Sequence, residues 1–293
     1  MLAPFRVRSF RFQWPADLAT SSAFEMETLV LGWFILVETG SVALLTLFAS
    51  LPFLGTLLAP MLGLIGDRIG HRRLMCLMRG FYLALAALLA AFSFAGMLGP
   101  AQAFAVAALA GLVRPSDAGL RNVLIGETMQ ADRLLGALGL SRITADSARA
   151  MGALAGAGVV ATLGMSWAYV MIVTFYAISL ALTLMAGMRR PSSLPGHADA
   201  FVRRSSAWTE LRAAISLVWS TPAQLAALSL AFLINLTTYP FILGLLPYVA
   251  REVYGADQAG LGYLVAATAI GAVAASFLVS RLERSVLPAR VMI

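Results

Sequence analysis

The chain has 293 residues, of which 60% are hydrophobic and 12% charged, about half the roughly 25% charge of an average soluble domain. That composition excludes a water-soluble globular enzyme and points to an integral membrane protein. The net charge of +7 does not read as a nucleic-acid surface, because the basic residues, all of them arginine, recur between apolar runs instead of gathering on one soluble face.

Residues 1–15 are basic and aromatic and lack a small-residue cleavage site, and the apolar run after them is long enough to span, so no cleaved signal peptide is expected. A span needs roughly 20 mostly apolar residues. Eight segments qualify: 16–37, 42–65, 74–96, 100–122, 143–163, 167–188, 222–246 and 258–279. The charges between them alternate. Arg6, Arg8 and Arg11 precede the first span, and only Glu38 follows it. Arg68, Arg72 and Arg73 follow the second, and the connection near Leu98 is uncharged. Arg121, Arg133 and Arg142 come next, then the uncharged 164–166, then Arg189, Arg190, Arg203, Arg204 and Arg212. Arg251 stands with Glu252 and Asp257, and Arg281, Arg284 and Arg290 close the chain. Every second connection is arginine-rich, which places the N-terminus and those connections in the cytoplasm.

In the first span, Asp17, Ser21, Glu25, Thr28 and Gly32 form a polar and small stripe at helical spacing. Glu27 lies on another side with Thr20, Leu31 and Phe34, because residues two apart diverge around a helix. A carboxylate at mid-depth is expensive and is a functional candidate by default. Glu25 is the preferred proton carrier and Glu27 the second candidate, contacting another helix. The alternative is that one or both pair with an intramembrane arginine.

The connection 63–73 reads G-L-I-G-D-R-I-G-H-R-R, a carboxylate and four basic side chains around glycines. In the third span, Cys76, the one cysteine, reads as a small apolar filler, and Arg79 is expected to snorkel to the surface. Arg114, Asp117 and Arg121 share one side of the fourth span, and Arg142, Asp146 and Arg149 one side of the fifth, a charge network that either opens and closes with the protein or is a static structural network near the cytoplasmic interface. Gly152 and Gly156 form a small-xxx-small pair for close helix approach. Residues 189–212 read as a flexible linker. Residues 208–219 read as an interfacial helix, or as the start of the seventh span. Asn235, Thr238 and Tyr239 near Pro240 are cavity candidates, and Phe24, Trp33, Phe232 and Phe241 read either as contacts for a large amphipathic solute or as lipid-facing packing. Residues 287–293 begin a partial ninth span, so the chain is expected to be truncated.

The 63–73 segment resembles the signature G-x-x-x-D-R-x-G-R-R of the major facilitator superfamily: Gly63, Asp67, Arg68, Gly70, Arg72 and Arg73 match, and His71 departs from it. Arg121, 124–127 (L-I-G-E), 134–140, Trp33 and 39–41 are similar to the siderophore and macrolide exporter branch. Residues 276–285 faintly echo the signature in the second half, with Ser280 where the carboxylate would stand. Around Gly152 the sequence resembles the family's antiporter motif G-P-x-x-G-G, with Ala153 in place of its proline and Ala155 in place of a glycine.

The resemblance implies an all-α helical bundle: a six-helix half over 1–188, a cytoplasmic linker over 189–212 and an incomplete second half over 213–293. It implies that the signature segment is a gating latch docking on a helix of the second half. The function implied is proton-coupled efflux of a small amphipathic solute, of drug or siderophore class, by alternating access. The implied setting is a monomer in the inner membrane, partnered by solute, protons and lipid. The rival readings are a non-transporting fragment or membrane interaction protein, and a proton- or lipid-handling protein without solute export. No P-loop, zinc-ligand spacing or nucleophile–base pair is present, and His71 and His197 lie in separate connections, so no enzymatic activity, metal or cofactor is expected.

Overall fold

The computed structural model describes residues 5, 7–129, 131–186, 216, 219–239, 241 and 245–282, which form helices and turns with no strand among them. The expected linker and most of the expected interfacial helix lie outside the described residues. The chain divides into two compact units, Met1–Gly187 with Gly244–Ile293, and Met188–Leu243.

The first unit holds α1 (Arg8–Thr39), α2 (Val42–Ser50), a 3-10 segment (Leu51–Leu57), α3 (Ala59–Ile69), α4 (His71–Phe94), α5 (Pro100–Thr128), α6 (Ala131–Leu163) and α7 (Met165–Met185). The second contains α8 (Pro222–Tyr239). The chain re-enters the first unit through a short turn (Leu246–Tyr248), a π-helical turn (Val249–Val253) and α9 (Gln258–Leu282). Helices α1, α4, α5 and α7 are long and apolar enough to cross a membrane, and a fifth span results if α2 to α3 counts as one.

The second expected span is not one straight helix. It bends by 50° between Val42–Leu57 and Ala59–Ile69. Pro52 and Pro60 each remove a backbone donor there. Gly55 and Gly111 of α5 bring the two backbones together so closely that a Cβ at either position would collide with main-chain atoms of the other segment. The signature segment is not a loop either. Residues up to Ile69 are helical, and the turn into α4 is Gly70 alone, with φ 94°, a conformation that side chains disfavour. The charged residues around it therefore sit on helix ends with fixed directions.

Helix α1 is the centre of the first unit, packed mainly on α6 and α7 and also on α5. Its polar residues consequently face protein on more than one side: Asp17 and Ser21 of the stripe are buried, as are Thr20 and Ser22 outside it, and Glu25 and Thr28 are half-buried. Gly40 ends the helix with φ 62°, and the Ser41 side chain caps α2 by accepting from Leu44 N at 3.3 Å. Arg251 donates to the Leu36 carbonyl at the same end, at 3.3 Å. An aromatic cluster joins three helices: Phe24 lies 4.8 Å from Tyr82 and 5.8 Å from Tyr176 between ring centroids.

Close approach of α1 and α6 depends on two glycines. A Cβ at Gly152 would lie 2.6 Å from the Ser22 carbonyl oxygen, and one at Gly156 would lie 2.9 Å from Met26 Cγ. Gly158, on the same helix, has nothing within 4 Å of its Cβ position. Gly152→Ala is therefore expected to destabilise the protein by about 1–3 kcal/mol. Gly158→Ala should be neutral or stabilising, by up to about 1 kcal/mol, through helix propensity. Thermal unfolding of the two variants in detergent checks the contrast, and equal effects would contradict it.

Candidate functional site

The first unit encloses a charge cluster that begins near the start of α1. Asp17 is ion-paired with Arg79 of α4, and Arg79 also donates to Thr183 Oγ1 of α7. Arg121 of α5 lies 3.7 Å from the Asp17 carboxylate, donates to Ser21 Oγ at 2.7 Å, and pairs with Asp117 one turn earlier at 2.5 Å. Hydroxyl groups extend the cluster. Thr20 and Ser179 oxygens lie 2.5 Å apart, and Ser179 donates to the Ala16 carbonyl at 2.9 Å. Arg79 is 0% exposed, so it does not snorkel as its place in the sequence suggests. A carboxylate, a threonine and three helices hold it inside.

Glu27 lies ten residues further along α1, about 15 Å at 1.5 Å per residue. Tyr176 of α7 donates to its carboxylate at 3.0 Å, and Arg114 of α5 is near enough to act on it electrostatically. Arg114 is itself fixed by a 3.1 Å bond to Thr28 Oγ1 and by the Phe24 ring, 4.3 Å from the guanidinium carbon. Glu25 points elsewhere, to Arg149 of α6 at 3.5 Å. The carboxylates Asp17, Glu25, Glu27 and Asp117 are thus matched by Arg79, Arg114, Arg121 and Arg149, and adding or removing one proton leaves an unbalanced charge in a low-dielectric interior.

At the α3–α4 turn, His71 Nδ1 lies 2.7 Å from Glu127 of α5, and Nε2 lies 3.0 Å from Asp67. Arg72 donates to the last carbonyls of α7, 2.8 Å from Thr183 O and 2.6 Å from Leu184 O. The turn is therefore tied to two other helices. Arg68 and Arg73 are exposed. His71→Leu leaves two carboxylates facing each other and is expected to cost about 1 kcal/mol, the modest figure suited to partly exposed pairs. His71→Arg should keep most of that, and denaturant titration of both variants is the check.

A family model described as transmembrane secretion effector, of the major facilitator group, matches residues 1–293. The chain belongs to that family. No curated protein matches it. In this transmembrane secretion effector, the charge cluster lies among helices that are long and apolar enough to cross the bilayer, where ionisable groups mark functional sites by default.

The expected six-residue network divides into separate contacts. Arg121 and Asp117 join the Asp17–Arg79 pair, Arg114 serves the Glu27 site and Arg149 serves Glu25. Arg142 is exposed on α6, and the side chain of Asp146 lies outside the described residues. So do the side chains of Asn235, Thr238 and Tyr239. Phe232 and Phe241 are exposed, 68% and 47%. Thr183, Tyr176 and Ser179 belong to the site but do not stand out in the sequence, whereas Arg79 stands out with a different expected role and Glu127 only as part of the L-I-G-E segment.

Proposed function

We propose that this chain is a secondary active transporter that exports a small amphipathic solute by alternating access in exchange for protons, with its N-terminus in the cytoplasm of the inner membrane. Family membership supports transport, and the alternation of arginine between connections supports the orientation. The spanning plan is α1, the bent α2–α3 pair, and α4 to α9, eight helices in all.

The observation that carries proton coupling is the Glu27 site. Glu27 sits within a span, holds one tyrosine hydroxyl and shares its counter-charge, Arg114, with a threonine and an aromatic ring. Glu25 has an arginine partner on a neighbouring helix and 23% of its side chain exposed. Glu27 is therefore the better proton carrier of the two. A carboxylate that gains a proton here frees Arg114, and that change of charge balance is what a two-state helix bundle responds to.

The α3–α4 turn is the latch. Asp67 reaches one carboxylate oxygen to His71 and leaves 67% of its side chain exposed for a further partner. Asp67→Asn should raise the alkylation rate of a reporter cysteine at Ser116, whose hydroxyl is buried on α5, several-fold in a Cys76→Ala background, and an unchanged rate would count against the latch. The whole reading is tested by expression in a host with its own exporters deleted, loaded in turn with ethidium, a macrolide and a catecholate siderophore. Reduced accumulation of at least one, reversed by a protonophore, is expected. Accumulation unaffected by expression across the panel would favour a membrane interaction protein.

A further inference from the structure

Between the Glu27 site and the Asp17–Arg79 cluster lies a group that neither uses. Tyr82 of α4 is 2% exposed, and its ring is 4.8 Å from Phe24 and 5.9 Å from Tyr176. Asp117, Arg114, Arg121 and Arg79 all act on it electrostatically. Among the described residues, the Tyr82 hydroxyl has no hydrogen-bond partner, and the same holds for Asp117 Oδ1 and Arg121 Nε. Asp117 is 2% exposed and spends its other oxygen on Arg121. An unmet buried polar group costs about 1–3 kcal/mol. Native proteins meet such groups with ordered water, which needs two to four polar partners.

We infer that Tyr82, Asp117 and Arg121 hold one or more ordered water molecules, and that these waters carry protons between the Glu27–Tyr176 pair and the Asp17–Arg79 end of the bundle. The inference rests on Glu27 being the coupling carboxylate. A tyrosine hydroxyl both accepts and donates. A proton accepted by the Tyr176 oxygen from Glu27 releases the tyrosine's own proton to a water shared with Tyr82, whose hydroxyl accepts one proton from that water and passes its own on to the next. Each hydroxyl ends with one proton, Glu27 ends ionised, and the proton rests on Asp117 or leaves by water. Tyr82 is thus a relay residue, separated from Glu27 by one tyrosine.

Radiolytic hydroxyl labelling of the detergent-solubilised protein, read by mass spectrometry, tests the water directly and needs no variant. Side chains beside bound water are oxidised even when buried. Tyr82 should be labelled at least several-fold faster than Phe10, which is 1% exposed and packs among apolar side chains. Equal, slow labelling of both overturns the relay and leaves the coupling role of Glu27 standing. In proteoliposomes loaded with whichever solute of the panel is exported, Tyr82→Phe should slow proton-driven export about tenfold while solute-for-solute exchange is unchanged. Equal loss of both rates marks Tyr82 as structural and overturns the relay. Proton movement that survives Glu27→Gln overturns the coupling reading, and the relay with it.

Discussion

Arg79→Met is expected to lower the unfolding free energy by about 3–5 kcal/mol, the cost of leaving a buried charge without its partner. Asp17 is 5% exposed and depends on Arg79 for its closest ion pair. Arg121 stands 3.7 Å from the same carboxylate and offsets part of the loss, which places the expected value at the lower end of that range. Thr183 loses a donor as well, but its hydroxyl still donates to the Ser179 carbonyl at 2.7 Å. The double variant Asp17→Asn/Arg79→Met should recover at least half of the loss, because it removes both charges together. Thermal and denaturant unfolding in detergent micelles measures this. A cost below about 1 kcal/mol, typical of exposed ion pairs, would mean that the cluster is solvated.

Glu27→Gln is expected to reduce proton-coupled export by about 100-fold or more, the lower range for loss of a positioned proton-transfer group. Glutamine keeps the shape and can still accept from Tyr176, so the fold and solute-for-solute exchange should survive. Tyr176→Phe removes one hydrogen bond to a charged group, worth about 1.5–3 kcal/mol, and should slow coupled export about tenfold. Glu25→Gln should stay within tenfold of the unaltered protein, since its carboxylate serves the α1–α6 contact through Arg149. Transport assays on all three variants, each with and without an imposed pH gradient, separate coupling from transport as such. Equal losses for Glu25→Gln and Glu27→Gln would remove the distinction between them.

Much of this architecture is legible in the sequence, and the failures have physical causes. The positions of α1, α4, α5 and α7 follow from unbroken apolar runs of spanning length. Hydropathy does not register the bend between α2 and α3, since its causes are two missing backbone donors and the approach of Gly55 to Gly111. The signature segment looks like a loop because its residues are polar, yet only Gly70 leaves the helical conformation.

The site was legible as residues but not as pairs. Periodicity along α1 places Glu25 with Asp17 on one stripe, but a helix packed against α5, α6 and α7 has no single inner side, and the two acids find arginines on α4 and α6 respectively. Depth would have found the first pair. In the expected spanning plan Asp17 and Arg79 both stand within about two turns of the cytoplasmic ends of their spans, so they share a level. His71 departs from the family's signature and still occupies the centre of the turn, between Asp67 and Glu127. The partnership of Tyr176 with Glu27 spans 149 residues of chain and has no sequence signal.

Proton movement during export is the most direct test of the account. The protein is reconstituted in proteoliposomes with a pH-sensitive dye inside, and the exported solute is added without an imposed gradient. Unaltered protein should move protons in the direction opposite to the solute, and Glu27→Gln should move none while still exchanging solute for solute. Solute export by the unaltered protein with no accompanying proton movement, or undiminished proton movement in Glu27→Gln, would contradict the account.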